Sequence, residues 1–153
     1  MNNIKKKDLI MGKKCENMFL KIFTKFKKLD KFNKFDFINK KKKILIELKS
    51  RNYCFNGHLK DWQVGKNKIE EARRLSRDGY SIFFYMMFFD GLYYYKFNET
   101  NLYSDAYIKI GGRNDRDQNE EKDYVFIKSD VMKKSKIDIS VPLRPDPFEK
   151  CIF

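Results

Sequence analysis

The sequence predicts an α/β fold in which a central mixed β-sheet is flanked by helices. Three observations predict it. An apolar stripe with helical spacing is followed by two short alternating runs. A second helical stretch precedes the most apolar segment of the chain, the eight residues 82–89. That segment ends on Asp90 and Gly91, a hairpin turn signal, and a second strand-like run follows.

Each element follows from local pattern. Residues 1–10 are basic and polar and read as an arm or a first helical turn. Across 12–29, Phe19, Ile22, Phe23, Phe26 and Leu29 recur at three and four, the stripe of an amphipathic helix. Glu16 stands three residues before Phe19, at one end of that stripe. In 34–38, Phe35 and Phe37 alternate with Asp36, placing the two phenylalanines on one face of a strand. The lysines of 40–43 make a turn. Residues 44–50 form a second strand, with Ile44, Ile46 and Leu48 on one face and Leu45, Glu47 and Lys49 on the other. Residues 51–59 read as a loop and 59–77 as a helix closed by Asp78 and Gly79. Residues 80–89 and 92–97 make the clearest hairpin. Beyond it, 107–110 and 124–128 are short strands joined by a charged loop, 137–141 is an edge strand, and 142–147 belongs to an irregular tail. There is no repeat and no linker, so the 153 residues read as one domain with its core in about 12–97.

Composition excludes several chemistries. The three cysteines, Cys15, Cys54 and Cys151, are odd in number and widely spaced. Neither a disulfide framework nor a zinc ribbon is expected, and a reducing, intracellular setting suits them. A single histidine, His58, excludes a multi-histidine metal site. There is no Walker loop, no dinucleotide-binding glycine turn and no nucleophile elbow. The longest apolar run is too short to span a bilayer, and no signal peptide precedes it. Trp62 and the run 93–95 read as core or edge-strand packing.

The charge is distributed unevenly. The chain carries 34 Lys+Arg and 21 Asp+Glu, a net +13. Residues 1–60 hold 18 and 5 of these, a balance of +13, and residues 61–153 hold 16 of each. A basic half next to a neutral half suits a polyanionic partner, most simply nucleic acid. AT-rich coding would enrich the same lysines, asparagines and aromatics, so a merely solubilising surface is the bland alternative.

The chemistry concentrates where that charge lies. Asp36 and Glu47 fall on neighbouring strands of one hairpin, and Lys49 follows Glu47 by two, on the same face. Two carboxylates and a lysine on an otherwise apolar hairpin are costly unless they pair or bind a cation. Asp36 followed by the Glu47-Leu48-Lys49 triplet, within this order of elements, resembles the PD-(D/E)xK nuclease superfamily, especially its small Holliday-junction-resolvase-type members and the short nucleases of large DNA viruses and phages. The likeness covers about 12–97. Phe35 stands where the motif's name has a proline, and only about 27–33 is left for the strand that usually precedes the aspartate, so that strand is short or the first helix ends early.

The resemblance implies a restriction-endonuclease-like core and a Mg²⁺- or Mn²⁺-dependent phosphodiesterase, an endonuclease acting on DNA. In that reading Asp36, Glu47 and the Leu48 carbonyl bind the metal, and Lys49 assists the attacking water. Glu16 matches an additional acid on the first helix, and Gln63, near the start of the second, flanks the site. Lys41, Lys42, Lys43, Arg51, Lys68, Arg113 and Arg116 are the candidate phosphate contacts. RNA remains an open substrate, a homodimer would suit cutting both strands, and packaging in a virion is an open location. The competing expectation is a non-catalytic nucleic-acid-binding or virion-associated basic protein on the same fold.

Overall fold

A computed structural model describes residues 3–58, 61–111 and 122–142. The expected contacts of Arg113 and Arg116, the side chain of His58, and the tail beyond 142 lie outside the described residues.

Helix α1 (Asn3–Ile22) takes in the basic arm. The apolar stripe runs past its end, because Phe23 and Phe26 leave the helix through a tight turn in which the Phe26 N–H donates to the Phe23 carbonyl at 3.1 Å. The stripe expected over 12–29 therefore spans a helix, a turn and strand β1 (Lys27–Lys28). The helix ends early and the strand is short. Strand β2 (Phe37–Asn39) pairs antiparallel with β3 (Ile44–Ser50). A short helix, α2 (Phe55–His58), lies inside the expected loop.

The stretch expected to be one helix over 59–77 divides in two. Strand β4 (Trp62–Gly65) comes first, and helix α3 (Lys66–Arg77) follows. Four residues alternating buried and half-buried are too few to show against the helix behind them. Gly79, at φ 91°, closes α3 in the left-handed region.

Strands β5 (Ser81–Phe88) and β6 (Gly91–Lys96) form the expected hairpin, with Gly91 at φ 137° in its turn. After helix α4 (Leu102–Asp105) come β7 (Ala106–Gly111), β8 (Lys122–Ile127) and β9 (Lys133–Lys134). Residues 137–141 form no strand. Ile139 and Val141 are nonetheless buried, and the Val141 N–H donates to the Phe88 carbonyl at 2.9 Å.

The main sheet has the order β1-β2-β3-β5-β6-β9. Only β3 and β5 run parallel, joined across α3, and the remaining pairs are antiparallel. A parallel pair needs such a crossover, and it sets α3 against one face of the sheet. Both edge strands are exposed lysine pairs, which discourages pairing with another chain. A second sheet, β4-β8-β7, packs on the α3 side.

Alternation along β5 divides the core. Ile82, Phe84, Met86 and Phe88 join Leu45, Trp62, Ile69 and Ala72 on the α3 side. Met87 and Phe89 join Phe19, Phe37, Ile46 and Leu48 on the α1 side. Phe35 and Phe37 lie in different clusters, contrary to the expectation of a shared face. The cause is that β2 begins only at Phe37, so alternation does not extend back to Phe35. Cys15 is a free buried thiol, and Cys54 is buried in the same cluster. No described helix is long and apolar enough to cross a membrane.

Phe19 pins α1 to the sheet. It is fully buried and stacks on Phe23 at 4.0 Å and Phe37 at 5.0 Å. Phe19→Ala should cost about 3–5 kcal/mol, read as a lower urea midpoint. Phe32→Ala, at an 85 % exposed side chain, should move it by less than about 0.5 kcal/mol.

Candidate active site

Strand β3 carries the site because it is central and covered on both sides. Ile44, Ile46 and Leu48 face α1, which turns Leu45 and Glu47 toward α3. Glu47 is 1 % exposed. Such a carboxylate is tolerated only with a cation at hand. Lys68, in the first turn of α3, forms an ion pair with Glu47 Oε1, and Lys49 Nζ approaches the same oxygen at 3.2 Å. The second oxygen, Oε2, is buried without a hydrogen-bond partner.

Asp36 lies just before β2. Its N–H donates to the Ile46 carbonyl at 2.9 Å, and its Oδ2 accepts the Leu48 N–H at 2.7 Å. The carboxylate thus satisfies a backbone donor of β3 that lies beyond the end of the short partner strand. Burial pushes the Asp36 carboxyl up to about 6, and the neighbouring Glu47 charge adds to the rise. The Leu48 N–H and the lysines 49 and 68 oppose it.

Above these groups opens a cleft of about 500 Å³. Helix α1 contributes Asp8, Gly12 and Glu16 to its wall, β3 contributes Leu48, Lys49 and Ser50, and Asp36, Arg51 and Gln63 complete it. Glu47 lies beneath this surface. Cys15 also lines the cleft, but burial pushes its thiol up and leaves it protonated, a poor nucleophile.

The expected residues divide three ways. Asp36, Glu47, Leu48 and Lys49 come together. Glu16, Arg51 and Gln63 stand on the cleft wall, with the Glu16 carboxylate held by Lys28. Gln63 sits on β4, paired with Phe126 of β8, rather than at the start of a helix.

Lys41, Lys42 and Lys43 stand elsewhere. Their turn precedes β3, whereas the cleft lies at its other end. At a strand's rise, Lys43 and Glu47 are about 13 Å apart along the chain. Lys43 instead contacts the Asp78 carbonyl at 3.5 Å and the Tyr80 ring at 5.6 Å. Lys68, expected to reach a phosphate, sits on Glu47. The 21-residue separation of that pair is bridged by the β3–α3–β5 crossover, a signal present in the element order. Asp8, Ser50 and Asn52 of the cleft carry no sequence pattern that marks them.

Among the described residues, no three or more His, Cys, Asp or Glu side chains gather closely enough to hold a metal ion. The donors here are two carboxylates and a backbone carbonyl. They suit a hard divalent cation: all are oxygens, Glu47 raises the Asp36 carboxyl, and one buried Glu47 oxygen lacks a partner.

A family model described as "Phage putative PDDEXK endonuclease" matches residues 6–137. The chain belongs to this family. The matched span takes in most of α1, the nine strands of the described residues and every carboxylate discussed above, and the mixed sheet flanked by helices is the restriction-endonuclease-like arrangement. No curated protein and no solved structure matches the chain.

The raised Asp36 carboxyl has a measurable sign. An Asp36 carboxyl raised from 3.8 to about 6 favours the folded state below pH 3.8. That contribution, about 3 kcal/mol, is lost as the pH rises through 6. In EDTA, Asp36→Asn should therefore melt above the wild type at pH 8, with the gap closing toward pH 4. An equal or lower melting point at pH 8 would contradict the assignment.

Proposed function

We infer that this family member is a Mg²⁺- or Mn²⁺-dependent endonuclease that hydrolyses phosphodiester bonds in DNA inside a cell. The carrying observation is Glu47, buried beside Asp36 under an open cleft of charged and polar side chains, with one oxygen unpartnered. Asp36, Glu47 and the Leu48 carbonyl would hold the cation. A bound divalent ion supplies positive charge to the scissile phosphate and makes a coordinated water more acidic.

The chain's own groups do the rest. Lys49 is half-exposed at the cleft and 3.2 Å from Glu47, so its ammonium can donate to the attacking water or to a phosphate oxygen. Lys68 balances the Glu47 charge from below and acts through Glu47 rather than on substrate. Arg51 is tethered by a 2.9 Å hydrogen bond to the Ser50 carbonyl and stands on the cleft wall, a position suited to backbone phosphate. Glu16 and Gln63 flank the path of the strand.

One observation favours a second reading. The Lys68–Glu47 pair neutralises the buried carboxylate by itself, as it would in a non-catalytic nucleic-acid-binding module. Plasmid nicking separates the two. With Mn²⁺ the wild type should nick, and Glu47→Gln or Lys49→Ala should lose at least about 100-fold of that activity with unchanged circular dichroism. Wild-type protein that cuts no DNA with either metal would leave the binding module standing, and undiminished nicking by Glu47→Gln would remove Glu47 from the chemistry.

A further inference from the structure

A second cavity of about 510 Å³ adjoins the first. Arg51 and Gln63 line both, so the two chambers meet along these side chains. The first is walled by charged and polar groups. The second is different in kind: its walls include the rings of Trp62, Tyr107 and Phe126, with Asp61 at its polar edge.

Those walls are built rather than incidental. Tyr107 stacks on Phe126 at 5.4 Å with the rings 8° from parallel, a cross-strand pair between β7 and β8. The Tyr107 hydroxyl donates to Asp61 Oδ2 at 2.6 Å, and the Ser129 N–H donates to Asp61 Oδ1 at 2.9 Å. These bonds hold ring and carboxylate in fixed orientation. Trp62 is nearly fully buried, and its indole N–H has no hydrogen-bond partner. A chamber with a fixed aromatic face and an acceptor carboxylate at its edge matches a planar heterocycle that carries hydrogen-bond donors.

Resting on the endonuclease reading of the adjoining cleft, we propose that this chamber is a nucleobase subsite. It receives one base of the DNA strand whose backbone lies in the first cavity. The base stacks on Tyr107, and its polar edge meets Asp61 and Gln63. Arg51, at the junction, contacts the phosphate that links the two sites. Base–aromatic stacking tolerates sequence, whereas the Asp61 carboxylate favours bases with an exocyclic amino group. The chamber therefore gives the enzyme a positional preference that two carboxylates and a lysine cannot supply.

Trp62 is the sole tryptophan of the chain, so all tryptophan emission comes from one wall residue of this chamber. The test titrates full-length protein in EDTA with a single-stranded deoxyoligonucleotide, and with a matched abasic oligonucleotide. Tryptophan emission and the anisotropy of a dye at the DNA end are followed together. The natural strand should change Trp62 emission as it binds. The abasic strand should bind about tenfold more weakly and leave emission unchanged. Tyr107→Ala, at a partly exposed edge-strand position, should reproduce the abasic result with the natural strand, and Tyr107→Phe should restore the emission change.

DNA that binds equally with and without bases while emission stays constant overturns the subsite, and so does an absence of binding. Mn²⁺ nicking by the same preparation separates the two claims. Nicking without an emission change leaves the nuclease standing and the subsite refuted. An emission change without nicking supports the chamber and refutes the nuclease.

Discussion

The architecture turns on a carboxylate that water does not reach. Glu47 sits at the centre of β3, between β2 and β5, with apolar neighbours along the strand. Removing a carboxylate from water costs several kcal/mol unless a cation answers it. The fold supplies that answer from α3, through Lys68, and from two residues further along the same strand, through Lys49. The parallel β3–β5 pair requires α3 as its crossover, and the crossover places Lys68 over Glu47. Topology and electrostatics are thus one constraint. Without the helix the carboxylate is stranded, and without the carboxylate the lysine on the buried side of the helix has no partner.

Asp36 depends on the same geometry. Because β2 is only three residues long, the Leu48 N–H looks past its end, and the Asp36 side chain takes the place of the missing strand. That position brings a second carboxylate beside the first and raises its pKa. Burial and a neighbouring like charge are the two causes that commonly raise carboxyl pKa values at functional sites. The shortness of β2 follows in turn from the bend at 33–36, which sends Phe35 and Phe37 to opposite cores.

Much of this was legible in the sequence. The bounds of β3 follow from a β-branched, mostly apolar run, Ile-Leu-Ile-Glu-Leu-Lys-Ser, set between polar turns, and the β5–β6 turn follows from Asp90 and Gly91, where only glycine sits easily at φ 137°. The acidic pair was legible because charge inside an apolar run is conspicuous. Other features were hidden for physical reasons. Four strand residues before a strong helix carry too little periodicity to stand out, so the pattern assigns Gln63 to a helix rather than to β4. The stripe through Phe23, Phe26 and Leu29 keeps a spacing of three although its backbone turns. The position of lysines 40–43 away from the cleft was not hidden in this way, since the rise of β3 alone sets Lys43 about 13 Å from Glu47. The basic first half remains consistent with a nucleic-acid partner, but its candidate contacts at the site shift to Lys49 and Arg51.

The central claim is that Asp36 and Glu47 form one cation-binding centre whose charge Lys68 balances when no metal is bound. The most direct measurement is anomalous diffraction from a crystal soaked in Mn²⁺. The account predicts a peak between the Asp36 and Glu47 carboxylates, within reach of the Leu48 carbonyl. A Mn²⁺-soaked crystal with no peak there, and the Lys68–Glu47 pair intact, would contradict it.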